Sequence, residues 1–148
     1  KYNQNSEIMR EIRYRGIGIA ERKWVFGSLW FDTRDGVTLI WSEELKYWVR
    51  VDPATVGQYT GLKDEHGKEI YEGDVIRSPL SEDKTRPHRI FYHTGNAAFM
   101  GALVDRKELC YLRLDQDWIY KFGKEVIGNI HDNPELIEKQ TAERHKTN

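Results

Sequence analysis

The sequence predicts an all-β protein, and three observations carry that expectation. Apolar residues alternate with polar ones in short runs, as in Tyr47-Trp48-Val49-Arg50-Val51, the period of a strand with one buried face. Gly, Asp and Pro clusters punctuate those runs at close spacing, the pattern of a small barrel, roll or sandwich. Helical periodicity is nearly absent. The count comes to roughly eight to ten short strands.

Taken in order, residues 1–8 are polar and aperiodic and are expected to be a tag or a disordered leader, with Met9 as the natural start. Ile12 and Tyr14 alternate with Arg13 and Arg15, and Ile17 and Ile19 continue past Gly16 and Gly18, a strand with room for a bulge. Trp24 to Phe31 is aromatic-rich and suits a pleated surface. Asp35-Gly36 then provides a tight turn, and Val37, Leu39 and Trp41 complete a hairpin. Tyr47 to Val51 forms a further strand, ended by Asp52-Pro53, where Asp52 can cap a single helical turn with Pro53 at its first position. Gly57 to Gly67 reads as a turn-rich connection.

Ile70-Tyr71 and Val75-Ile76 flank Glu72-Gly73-Asp74, a strand-turn-strand unit in which Gly73 takes a conformation that a side chain would strain. Asp74 is placed to accept from a turn N–H. Pro79 to Pro87 is a charged surface loop. Arg89 to His93 and Ala97 to Val104 are strands around Thr94-Gly95-Asn96, and Leu109 to Leu114 is another. Asp115 to Phe122 fits either a strand or one helical turn. Glu125 to Ile130 is the last strand, and Pro134 opens a short helix whose tail, from Gln140, should fray.

A chain of 148 residues is one domain or two small lobes, and at this size about 68–70% of the unfolded surface can be buried without metals or disulfides. The single Cys110 lies in an apolar run and reads as a small buried hydrophobe. No apolar run reaches the roughly 18 residues of a membrane span, and no signal-peptide core is visible, so a soluble protein of the cytoplasm is expected. The mean hydropathy of -0.75 is low, but 12% aromatic residues and a net charge of -1 argue for a folded chain. That near-neutral balance also disfavours a dedicated nucleic-acid binder. Two basic stretches, Arg10, Arg13, Arg15, Arg22, Lys23 and Lys84, Arg86, His88, Arg89, read as solvated faces and are the footholds for that alternative.

Enzyme constellations are missing from the sequence. There is no phosphate-cradling glycine loop, dinucleotide fingerprint or nucleophile elbow. His88 and His93 fall on opposite faces of one strand, so a metal site would have to assemble in space from His93, His131 and Asp132. Each of these reads better as a turn or edge residue. Glu43-Glu44 and Glu82-Asp83 look like solvated turns. No catalytic residue, cofactor or metal is expected. The aromatic residues stand out instead: Trp24, Trp30, Trp41, Trp48 and Trp118, with Tyr14, Tyr47, Tyr59 and Tyr71, exceed what a small core holds. Most pack internally, and the remainder serve as interface anchors. The candidate binding residues are Trp30, Trp48, Tyr59 and Tyr71, with Arg13 and Arg89.

The stretch Val51-Asp52-Pro53-Ala54-Thr55-Val56-Gly57-Gln58-Tyr59-Thr60-Gly61-Leu62-Lys63-Asp64, continued by Gly67 to Ile76, resembles the YopX family of phage and prophage proteins. Met9 to Ile12 and Glu125 to Leu136 match its two ends. The resemblance implies a β-rich fold with an SH3-like small barrel, encoded in bacterial mobile elements, and brings no catalytic residues with it. The expected organisation is an N-terminal β-rich subdomain over residues 9–62, a barrel-like subdomain over 63–134, and a short helix with a frayed tail over 135–148. The expected function is a non-enzymatic binding or assembly module in the cytoplasm of the bacterial host, with a protein partner or a second copy, since exposed strand edges invite pairing. A nucleic-acid-binding β-barrel and a metal-dependent hydrolase or nuclease are the alternatives.

Overall fold

The computed structural model describes residues 9–79, 86–104 and 111–137. The expectations for residues 1–8, Cys110, the interior of the charged loop and the frayed tail lie outside them. Among the described residues eleven strands form two antiparallel sheets. The first sheet contains β1 (Tyr14–Ile17), β2 (Trp24–Asp32), β3 (Val37–Ser42), β4 (Trp48–Arg50), β5 (Gly57–Lys63) and β6 (Glu69–Tyr71), in the order β4-β3-β2-β1-β5-β6. The second contains β7 (Asp74–Arg77), β8 (His88–His93), β9 (Ala98–Leu103), β10 (Tyr111–Arg113) and β11 (Glu125–Asn129), in the order β10-β9-β8-β7-β11. Among the described residues no helix is long and apolar enough to cross a membrane.

The β2–β3 hairpin forms as its alternation predicts, with Trp30 opposite Leu39 and Asp32 opposite Val37. Asp52 caps a single 3-10 turn, Pro53–Thr55, by accepting from the Ala54 N–H at 3.1 Å. The ambiguous stretch after Leu114 is a helix, α1 (Gln116–Lys121), capped by the Asp115 carboxylate on the Trp118 N–H at 2.7 Å. The turn-rich connection expected from Gly57 onward is instead the strand β5. Its ladder with β6 pairs Tyr59 with Tyr71 and Lys63 with Glu69, and the register shifts between them, where Gly61 adopts a positive φ. The glycines and Thr60 disguise a strand that bulges without ending.

The expected all-β character holds, but in place of the small barrel or roll the described residues form two antiparallel sheets with no closed barrel. Ile70-Tyr71 and Val75-Ile76 do flank a tight turn, but the two strands belong to different sheets, because Gly73 at φ 87° sends the chain from one to the other. The Gly73 N–H donates to the Ile90 carbonyl and its own carbonyl accepts from Ile130, so the crossing point is held in the second sheet's framework. β6 thus completes the first sheet, which runs through Tyr71. Two cores follow. Val25, Ile40 and Val51 pack under the first sheet with Tyr14, Leu29, Val49 and Val56. Ile70, Ile76, Ile90, Leu114 and Ile119 pack between β6, the second sheet and α1. The buried Asp64 ties the sheets together: its carboxylate accepts from the N–H groups of His66 and Lys68 in its own turn and of Val126 on β11.

Candidate binding face

Side chains on a strand alternate between faces, and opposed pairs on neighbouring strands share one. The register therefore places Trp24, Phe26, Ser28 and Trp30 of β2 beside Arg15 and Ile17 of β1, Leu39 and Trp41 of β3, and Trp48 and Arg50 of β4. The Tyr59 N–H donates to the Arg13 carbonyl, and Tyr59 lies opposite Tyr71, which carries the same face across β5 and β6. One face of the six-stranded sheet is thus lined with aromatic and arginine side chains.

Its β2–β4 end is open to solvent. Trp30 is 58%, Trp48 45% and Trp41 36% exposed. Trp48 meets both others edge-to-face, at 6.4 Å from Trp30 and 5.6 Å from Trp41 between ring centroids. Such pairs contribute about 0.5–1.5 kcal/mol each beyond burial, so the three indoles hold one another in place while remaining accessible. Tyr47, also exposed, immediately precedes Trp48.

The β1–β5–β6 end is closed. Tyr59 and Tyr71 are only 4% and 2% exposed, and their rings pack 5.5 Å apart. The Arg15 guanidinium is sandwiched between Trp24, at 4.6 Å, and Tyr71, at 5.0 Å, and pairs with the buried Asp74 carboxylate at 2.7 Å. The second Asp74 oxygen accepts from the Tyr71 N–H at 2.8 Å, as the turn sequence predicts. Arg13 lies over Tyr59 at 5.4 Å and pairs with Glu69 and with Glu11. The Tyr71 hydroxyl donates to Glu69. Burial, helped by Glu69, pushes the Tyr71 hydroxyl far above its ordinary range. Burial also raises the Asp74 carboxyl, against the downward pull of Arg15.

Of the six candidate residues, Trp30, Trp48, Tyr59, Tyr71 and Arg13 share this face. The two tyrosines form its floor rather than its contact surface. Arg89 is on β8 of the other sheet, over Phe91 at 5.6 Å. Trp41, one of the surplus aromatics, and Arg15, one of the basic footholds, complete the arrangement although neither is among the six candidate binding residues. Trp41 is recognisable once Val37, Leu39 and Trp41 are assigned to one face, but its meeting with Trp48 depends on the β3–β4 register. The histidines have other partners. His93 Nδ1 accepts from the Asn96 N–H at 3.0 Å, capping the 3-10 turn Thr94–Asn96. His131 packs against Trp24, whose indole N–H donates to Asp132 at 2.7 Å. Burial, with Arg15 nearby, lowers the His131 pKa. Among the described residues no group of three or more His, Cys, Asp or Glu is arranged to hold a metal ion.

Fold and face together define a mainly β protein of two antiparallel sheets, one of which presents a tryptophan cluster. The chain belongs to the YopX protein family, whose model matches residues 13–138. It is similar to the crystal structure of protein EF1440 from Enterococcus faecalis, with 24% identity over 87% of this chain and 99% of that one and a TM-score of 0.57. At that identity the likeness concerns the fold. None of the curated proteins matches the chain.

Proposed function

We propose that this chain is a non-enzymatic binding or assembly module of a phage or prophage, acting in the bacterial cytoplasm. Its partner is a protein or a second copy of the chain. The observation that carries this reading is the exposed trio Trp30, Trp41 and Trp48, held edge-to-face across β2, β3 and the outer strand β4. Tryptophan clusters that stay accessible while rigid are typical anchors of protein interfaces, because little side-chain entropy is lost on docking. An SH3-like comparison belongs with this proposal, since domains of that class bind extended segments in aromatic-lined grooves. A protein partner is favoured over nucleic acid because Arg13 and Arg15, two of the arginines that phosphate binding would use, are already committed to Glu69, Glu11 and Asp74.

The test compares the full chain with a Trp30→Ala/Trp48→Ala variant. Light scattering across a concentration series reads self-association, and cross-linking in phage-infected cells reads a partner. An assembly that weakens in the variant supports the reading. A wild-type chain that stays monomeric and gives no cross-link dependent on the two tryptophans overturns it.

A further inference from the structure

A cavity of about 500 Å³ opens where β5 of the first sheet meets the β8–β9 turn and β10 of the second. Its size falls in the range of small-molecule sites, about 300–1,000 Å³. It lies apart from the tryptophan cluster and is built from different residues. Arg10 and Arg113 are among the residues that line it, and neither forms an ion pair among the described residues. Tyr92 and Phe99 supply an aromatic corner, with ring centroids 5.3 Å apart and interplanar angle 71°. Glu72 and Gln58 supply polar groups on the β5 side, where one Glu72 oxygen accepts from the Gln58 N–H at 2.9 Å.

These groups differ in what they ask of a ligand. Two guanidiniums suit a phosphate, which they can hold through charge-assisted, bidentate hydrogen bonds. An aromatic corner suits a flat ring. A carboxylate with one oxygen uncommitted, beside a side-chain amide, suits the donor-bearing edge of a heterocycle. We propose that this cavity binds a nucleoside phosphate, with the phosphate at Arg10 and Arg113, the base against Tyr92 and Phe99, and the base edge at Glu72 and Gln58. The same chemistry is offered by a free mononucleotide and by the phosphorylated end of a single strand. Burial raises the Glu72 carboxyl above its ordinary value, which adds a protonated form able to donate to a base acceptor at mildly acid pH.

The experiment is a calorimetric titration of the full chain with the four ribonucleoside monophosphates, with inorganic phosphate and with a short 5′-phosphorylated single strand. Saturable binding of at least one nucleotide, weakened fivefold or more by Arg113→Gln and by Arg10→Gln, supports the proposal. So does tenfold or greater weakening by Tyr92→Ala, with circular dichroism confirming that each variant is folded. A tighter fit for the strand than for any free nucleotide assigns the source to a nucleic-acid end, and the reverse order assigns it to a free nucleotide. Trp48→Ala is expected to leave this binding within twofold of wild type, so that failure here and failure of the protein-docking face are separable. No saturation by any nucleotide at millimolar concentration overturns the proposal. Equal affinity for nucleotides and inorganic phosphate, or indifference to both arginine substitutions, also overturns it.

Discussion

Replacing Asp74 by Ala removes two contacts at once. The Arg15 guanidinium, buried between Trp24 and Tyr71, loses the carboxylate 2.7 Å away, and the Tyr71 N–H loses its acceptor at 2.8 Å. Breaking one side of a buried pair costs about 3–5 kcal/mol and orphaning a buried N–H about 1–3 kcal/mol, so with overlap the expected loss is about 5 kcal/mol. A domain's whole stability is about 5–15 kcal/mol, so this variant sits at the edge of folding. Arg15→Met behaves differently, because Asp74 can take up a proton. Burial already holds the Asp74 carboxyl above its ordinary value. The stabilising effect of a raised acid is complete below the unfolded pKa and disappears as pH rises through the folded one. Removing Arg15 takes away the group that pulls the Asp74 carboxyl down, so Arg15→Met should be more stable near about pH 5 than near about pH 7.5. Urea unfolding followed by tryptophan fluorescence, on both single variants and the double, reads these values. The reasoning fails if the double variant equals the sum of the singles within about 0.5 kcal/mol, since that would leave no coupling between the partners.

Gly27→Ala places a Cβ at 1.7 Å from the Trp41 carbonyl oxygen, at a φ of 154°; a loss of roughly 3 kcal/mol or more is expected, read as a fall in the urea midpoint. Asp115→Ala removes the cap of α1 and should cost about 1 kcal/mol by the same measurement. The lowered His131 pKa means that stability is fullest above the unfolded histidine value and falls as pH drops from about 7.5 towards about 5.5; thermal melts should show that slope, and His131→Gln should flatten it.

The local chemistry of turns was legible in the sequence. The Asp52 cap, the hairpin at Asp35-Gly36, the positive φ at Gly73 and the acceptor role of Asp74 each depend on a few adjacent residues, and each is present. Strand partnership was not legible, because alternation says that a segment is extended without saying which ladder it joins. Hence Ile70-Tyr71 and Val75-Ile76 read as a single unit although a sheet boundary falls between them. β5 was hidden by its glycines, and α1 is too short to show a helical period. The same gap explains the site. Trp30 and Trp48 are identifiable as surplus aromatics, whereas the burial of Tyr59 and Tyr71 follows from β6 lying beside β5. Arg89 shares their composition but not their sheet.

The hydrogen bond from the Trp24 indole to Asp132 joins a residue near the start of the described chain to one near its end. Contacts of such long sequence separation slow folding, because the intervening chain must be closed before they form. On the ribosome, strands β1 to β6 emerge well before Asp132 does, so the Trp24 indole on β2 waits for the last turn before it is latched. Truncation ahead of Asn129 would remove that latch and free the Trp24 indole, while Asp64 would still hold β11 through the Val126 N–H.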